Sequence, residues 1–399
     1  MLLKKLNIVN FRNYLYFEEQ FDHLKTIIIG QNAQGKSNIL EAINILATSQ
    51  SNRAEKDNDL VYWDKEYALI SAKIKTKDSE TEIALQINPT GRRKLKINGV
   101  TKRAPQADLV GNFFAVMFSC EDLYLIKGSP STRRKWLDSI LFQLDIKYHR
   151  LTQDYQKSIT QKNSLLKHAI ENRIPRKSLK EQLEIWNEQI TNFGSEIIVT
   201  RLKFLEEIKP IAKEFQKNIS KQTEALELIY NSTIQMDNPV IASVGTLHAT
   251  SLQCQGIRND IEAIKSYFNK TLIEAFDAEA ARGQSLIGPH RDDLTFLINE
   301  RDAKSFASQG QQRSIVLAIK LSELKIIEAR KGEIPVLLLD DVFAELDENR
   351  QDFLLHNLPE NIQIFLTTTH ISDIQKEFLR GAKVLRVANG QILTELSRS

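Results

Sequence analysis

Gly30-Gln31-Asn32-Ala33-Gln34-Gly35-Lys36-Ser37 follows the apolar run Thr26-Ile-Ile-Ile29 and precedes the helix-like stretch Asn38-Ile-Leu-Glu-Ala-Ile-Asn-Ile-Leu46. A strand, a GxxxxGK[ST] loop and a helix in that order make a phosphate-binding loop, which implies ATP or GTP. Glycine is needed because backbone N–H groups curl round phosphate oxygens only where no Cβ intervenes. Lys36 is expected to reach the β- and γ-phosphates, and the Ser37 hydroxyl to ligate Mg²⁺. The helix opening at Ser37 adds the positive end of its dipole. Chance alone would place the four fixed positions together about once per hundred chains of this length. The flanking strand and helix argue against chance.

A second apolar run, Ile334-Pro-Val-Leu-Leu-Leu339, ends in Asp340-Asp341. It reads as a buried parallel strand with carboxylates at its C-terminal tip, where open α/β sheets hold ligands. Asp340 is expected to hold Mg²⁺ through water, and Asp341 to orient or deprotonate the attacking water. Ser308-Gln309-Gly310-Gln311-Gln312-Arg313 opens a helix-like stretch, for which Ser308 is by itself a good N-cap. Ala344-Glu345-Leu346-Asp347 follows the acidic pair, and Gln363-Ile-Phe-Leu-Thr-Thr-Thr-His370 is a further strand with a polar tip.

This set resembles the ABC-type ATPase heads of the SMC class, and within it the RecF family of bacterial recombination and gap-repair proteins. The resemblance covers nearly the whole chain. It rests on Asn10-Phe-Arg-Asn-Tyr14, the phosphate loop, Glu121 to Asp138, Gly288-Pro-His-Arg-Asp-Asp-Leu294, Ala307 to Arg313 and Leu339 to Asp347. The Gly288–Leu294 stretch is the most specific, since generic ABC heads do not carry it. Cys120 stands where the family usually has proline, and Trp136 where it has a smaller aromatic; neither is expected to touch nucleotide chemistry.

The resemblance implies an α/β head with a phosphate loop, a mixed sheet and an inserted helical arm. It implies that Ser308, Gln309, Gly310 and Gln311 meet the nucleotide of a second protomer, so that ATP glues an ATP-dependent homodimer. It gives His370 a γ-phosphate contact and Arg12 a contact to phosphate or ribose. The activity it implies is a weak, DNA-stimulated ATPase that binds duplex or gapped DNA in replication, repair and the SOS response. RecR is the implied partner, with RecO and RecA downstream.

Composition sets bounds. Across 399 residues, 54 basic and 51 acidic side chains leave a formal charge of +3. That balance identifies no nucleic-acid binder, so any DNA surface must be a local patch. Cys120 and Cys254 make no disulfide framework or metal motif. The N-terminus lacks the apolar stretch of a signal peptide and no run is long enough to span a membrane, so the expected compartment is the cytoplasm.

Residues 1–130 read as short strands with a hairpin at Asn98-Gly99, and residues 284–399 as the rest of the head, with a closing hairpin at Asn389-Gly390. Between them, 131–283 reads as the helical arm. Leu151, Tyr155, Ile159, Leu166 and Ile170 fit one helical face. After Pro175, Leu179, Leu183, Trp186, Ile190, Phe193 and Ile197 alternate steps of four and three. The stripe resumes at Phe204, Ile208, Ile211 and Phe215, with a kink expected at Pro210. The segment 226–250 is less readable, with strands possible.

Basic clusters at Arg92-Arg93-Lys94, Lys96, Lys102-Arg103 and Arg133-Arg134-Lys135 are candidates for phosphate contact, although a charge run is more often a solvated face. Arg133 and Arg134 have a second reading, in service of the head. Other classes fit less well. A transporter ATPase places its signature nearer the phosphate loop, and an ATPase-coupled nuclease needs chain beyond His370 for a metal domain. A structural SMC protein needs far longer heptads, leaving a DNA-binding ATPase in some other repair or chromosome-maintenance role as the nearest alternative.

Overall fold

The computed structural model describes residues 1–234 and 260–397. Strands β1 (Leu2–Phe11), β2 (Tyr14–Gln20) and β3 (Lys25–Ile29) lead into helix α1 (Lys36–Thr48). Then come β4 (Ala68–Lys75), β5 (Glu80–Ile87), β6 (Arg93–Ile97), β7 (Val100–Thr101), helix α2 (Pro105–Leu109) and β8 (Ala115–Ser119). A helical run follows: α3 (Tyr124–Lys127), α4 (Pro130–Leu144), α5 (Ile146–Glu171) and α6 (Arg176–Ile219). After β9 (Leu226–Asn231) and α7 (Ile261–Arg282) come β10 (Asp293–Ile298), β11 (Arg301–Asp302), α8 (Ala303–Phe306) and α9 (Gln309–Lys331). The last elements are β12 (Val336–Asp340), α10 (Glu348–His356), β13 (Ile364–Thr368), α11 (Lys376–Leu379), β14 (Ala382–Ala388) and β15 (Gln391–Ser397).

One six-stranded sheet has the order β15-β14-β3-β13-β12-β8, parallel except for the closing antiparallel β15. A second, antiparallel sheet has the order β2-β1-β4-β5-β6-β7. Strand alternation explains how they stack. Ile28, Met117, Leu338 and Phe365 share a core with α1 and the antiparallel sheet. Their chain neighbours Ile27, Phe118, Leu339 and Leu366 share another core with α4, α6 and α9. The parallel strands are therefore apolar on both faces, which is why they read as continuous runs. Buried Gln363 binds the two layers, its amide exchanging hydrogen bonds with the backbone of Leu3 at 2.6 and 2.9 Å.

The arm is an antiparallel helix pair. Ser158 of α5 meets Gln189 of α6, while the earlier Tyr148 meets the later Arg201. Leu179, Leu183, Ile190, Ile197, Phe204, Ile208 and Phe215 of the predicted stripe are buried, with Trp186 and Phe193 half-buried. At one end, Leu166, Ala169, Leu179, Leu183 and Ala280 form a small core of their own. Toward the head, α6 residues join the main core with α9. Helix α6 carries Pro210 inside it and runs unbroken for 44 residues, roughly 66 Å at 1.5 Å per residue. Buried Phe204, Ile208 and Phe215 anchor it on either side of the proline. In the segment left open by the sequence, 226–231 is strand β9; residues 235–250, and Cys254 after them, lie outside the described residues.

Candidate functional site

Because β14, β3, β13, β12 and β8 run parallel, their C-terminal ends share one edge. β3 ends at residues 30–37, β13 just before His370, β12 at Asp340-Asp341 and β8 just before Cys120. The fold thus assembles on one edge the motifs that the sequence spreads over three hundred positions.

A Cβ on Gly30 would lie 2.4 Å from the Val387 carbonyl oxygen, so only glycine fits there. Gly35 caps α1 at φ 110 with no side chain bonded to the first-turn N–H groups. Asn13 and Tyr14 donate to the carbonyls of Gln34 and Gly35 at 3.1 Å each. From the far end of the chain, Asn389 N donates to Gln34 Oε1 at 2.6 Å and Gly390 N to Gln34 O at 3.1 Å. The closing hairpin therefore holds the loop's outer wall.

Lys36 Nζ donates to the carbonyls of Gly30 and Gln31 at 2.9 and 3.1 Å, which keeps the buried ammonium folded over the loop. Ser37 Oγ and Thr367 Oγ1 each donate to Asp340 Oδ1 at 2.7 Å. Thr367 Oγ1 also accepts from Asp341 N at 2.9 Å. A hydroxyl and a carboxylate side by side are hard oxygen donors of the kind Mg²⁺ takes alongside phosphates and waters. The donor set fits that ion.

Asp341 has φ 53, a left-handed backbone that Asp tolerates better than most side chains. His370 is exposed, and its backbone turn is closed by Thr368 Oγ1. Arg12 forks onto buried Glu41 of α1 at 2.6 and 2.8 Å and donates to the Asp59 carbonyl at 2.8 Å. It sits beside the loop's helix with its guanidinium already bonded to protein.

Ser308 and Gln311 form a capping box at the start of α9: Gln311 N donates to Ser308 Oγ at 3.2 Å and Ser308 N to Gln311 Oε1 at 2.8 Å. Ser308 and Gln309 are exposed, and Phe306 just before them is 71% exposed. Arg350 donates to the Gly310 carbonyl at 2.9 Å and pairs with Asp347. The Ala344–Asp347 segment and the start of α9 are thereby one unit.

Sequence reasoning missed Thr367, Asn389, Arg350 and the placement of Cys120. Cys120 puts its thiol 3.8 Å from the backbone carbonyl oxygens of both Asp340 and Asp341. Burial and the nearby Glu345 push that thiol up to about 12, so it stays protonated. Trp136 bonds Glu323 at 2.7 Å in the main core.

The basic clusters divide. Arg133 is buried against Asp293 at 2.7 Å and Arg93 against Asp57 at 2.6 Å, so neither is a surface cation. Lys94 and Lys96 flank buried Leu95 on β6 and are exposed, as are Arg92 and Arg103.

The family described as RecF/RecN/SMC N-terminal domain matches residues 2–392. A protein of Acaryochloris marina, the DNA replication and repair protein RecF, is 38% identical over 98% of this chain and 99% of its own. Its counterpart in Thermosynechococcus vestitus is 40% identical over 98% and 97%. The chain belongs to the RecF family. Among solved structures, the recombination mediator RecF with ATP, of the RecFOR pathway, superposes with a TM-score of 0.83 at 34% identity, covering 99% of this chain and 97% of that one. An Smc head bound to the C-terminal winged-helix domain of ScpA shares the fold, with a TM-score of 0.52 at 17% identity and coverage of 100% and 98%. The mixed α/β head expected from the sequence is the architecture found. Among the described residues, no helix is long and apolar enough to cross a membrane.

Proposed function

We propose that this RecF-family chain is an ATP-driven clamp on DNA that serves recombinational gap repair and replication restart. The observation that carries the reading is the Ser37–Asp340–Thr367–Asp341 hydrogen-bonded chain beside Lys36, set against a signature helix whose exposed start lies on a different element.

In this reading the open N–H groups of α1 and residues 30–37 cradle the β- and γ-phosphates of ATP, and Lys36 turns from its two carbonyls to reach them. Ser37 and Asp340 would hold Mg²⁺, which would supply positive charge against that building on the phosphates. Asp341 orients a water and accepts its proton as the oxygen attacks the γ-phosphorus, giving ADP and phosphate. His370 donates to the γ-phosphate from the neighbouring strand tip. Arg12 steadies the phosphate or ribose side. Ser308 to Gln311 close over the nucleotide of a second copy, which makes two composite sites in an isologous dimer. Exposed Phe306 beside Ser308 supports a surface that a partner covers.

Residues 1–130 and 284–399 then act as the two parts of one head, with 131–283 as the arm. Arg92, Lys94, Lys96 and Arg103 at the β6–β7 edge are the surface cations best placed for duplex or gapped DNA. RecR and RecO are the partners this reading takes, in line with the RecFOR pathway named for the solved relatives; RecA is loaded downstream, and the compartment is the cytoplasm.

ATP turnover by purified protein, followed as its concentration rises with and without gapped duplex DNA, tests this. The expected rate grows more than linearly, increases with DNA and vanishes in Lys36→Ala. A linear rate indifferent to DNA would contradict both the dimer and the DNA role.

A further inference from the structure

The Gly288–Leu294 stretch supplies none of the groups described at the strand-tip site. It builds the junction between arm and head. Buried Arg201 of α6 donates Nη1 to the Pro289 carbonyl at 2.7 Å, Nη2 to Asp138 at 2.8 Å and Nε to Tyr148 Oη at 3.0 Å. Tyr155 Oη and His290 Nδ1 share a hydrogen bond of 2.7 Å. The two acids of the stretch are already paired: Asp292 accepts from Tyr230 and Thr233, and Asp293 holds Arg133.

Between α4, α5, α6 and this loop lies a cavity of about 260 Å³. Arg134, Lys135 and Arg201 border it, against one carboxylate, Asp138, which Arg201 already engages. Ser131, Arg134, Lys135 and Asp138 stand at i, i+3, i+4 and i+7, a single face of α4. Ser131 is one residue into that helix, so the positive end of its dipole opens on the same space.

The cations here are poorly balanced. Arg134 gives one N–H to the Asp292 carbonyl at 2.7 Å, and burial together with the charge of Arg201 lowers its affinity for its proton. Lys135 approaches only Glu55, loosely at 3.8 Å, with both side chains largely exposed. His290 brings no charge, since burial and Arg291 push its pKa down to about 3. The local excess comes from Arg134 and Lys135, since Arg201 is paired with Asp138; such an excess is relieved by an anion, and an arginine fork matches a tetrahedral oxyanion. The volume falls short of the roughly 300 Å³ and more that larger organic ligands occupy.

We propose that this cavity is a second phosphate site that takes one phosphoryl group and shares no lining residue with the phosphate loop. The group comes from a nucleic-acid strand or from free phosphate, two sources with one chemistry.

Calorimetric titration of inorganic phosphate into the full chain carrying Lys36→Ala lowers competition from the phosphate loop, and substitutions in the cavity assign the remaining binding. Saturable binding is expected, weakened about tenfold or more by adding either Arg134→Gln or Lys135→Glu. Lys135 is exposed, so its variant keeps the test decisive even where Arg134→Gln disturbs folding. If gapped duplex DNA displaces the phosphate, the occupant is a strand phosphate; if it does not, the occupant is the free anion. No saturable binding, or binding indifferent to both substitutions, overturns the proposal. ATP turnover does not enter the readout, so the result stands apart from the clamp.

Discussion

Two helices meet the polar surface with opposite N-termini. Helix α1 starts at Gly35 with no side chain on its first-turn N–H groups, whereas α9 starts at Ser308 inside a complete capping box. Every helix leaves its first N–H groups without intrahelical partners. The first helix puts no side chain on those donors, one of which, Asn38 N, turns back to the Gly35 carbonyl at 3.0 Å; the second satisfies part of them with a side chain. Phosphate binding at α1 therefore displaces no side-chain cap, although Lys36 must leave the carbonyls of Gly30 and Gln31. Any contact between α9 and a γ-phosphate across a dimer must compete with Gln311 for Ser308. On the proposed reading, this contrast makes α1 the binding end and α9 the switchable end.

The largest effect is expected at α1. Lys36→Ala removes two charge-assisted bonds to phosphate and should weaken ATP affinity roughly a hundredfold, read by displacement of a fluorescent ATP analogue. Affinity unchanged in that variant would break the comparison at its stronger side. At α9, Ser308→Ala should lower stability by about 1 kcal/mol, the usual worth of a cap, while Ser308→Gly lowers it by only a few tenths. If α9 reads nucleotide, both variants lose turnover to a similar degree, roughly tenfold, despite their different stabilities. Turnover that follows stability would reduce Ser308 to a cap.

A smaller effect is expected at Asp341. Its side chain is one methylene shorter than glutamate, which limits its reach to water. Asp341→Glu should speed single-turnover hydrolysis several-fold, while the φ 53 backbone makes the longer side chain cost about 1 kcal/mol of stability. An unchanged rate would remove Asp341 from water positioning.

The comparison also shows what a sequence exposes. The phosphate loop, the acidic pair and both Asn-Gly hairpins are local patterns, each decided by residues within about ten positions of one another, and each fell where expected. The arm's stripe was legible for the same reason. What stayed hidden joins distant positions without any periodic mark. Thr367 is one of two threonines on an apolar strand, yet it bonds both Asp340 and Asp341. Asn389 was legible as a turn residue, but not as the group that pins Gln34, 355 positions away. Arg201 looks like any charged residue on an amphipathic helix until the fold buries it against Pro289 and Asp138. Cys120 could be noticed only as a departure from proline, which says nothing of the carbonyls it touches.

The central claim is that each site is shared, with phosphates bound at α1 of one copy and read by α9 of another. Mixing two inactive chains tests it most directly: Lys36→Ala, which keeps a working signature, and Ser308→Arg, which keeps a working phosphate loop. The mixture should hydrolyse ATP at a rate that neither chain reaches alone, because a mixed dimer restores one complete site. A mixture no more active than its components would place the whole site within one chain and contradict the claim.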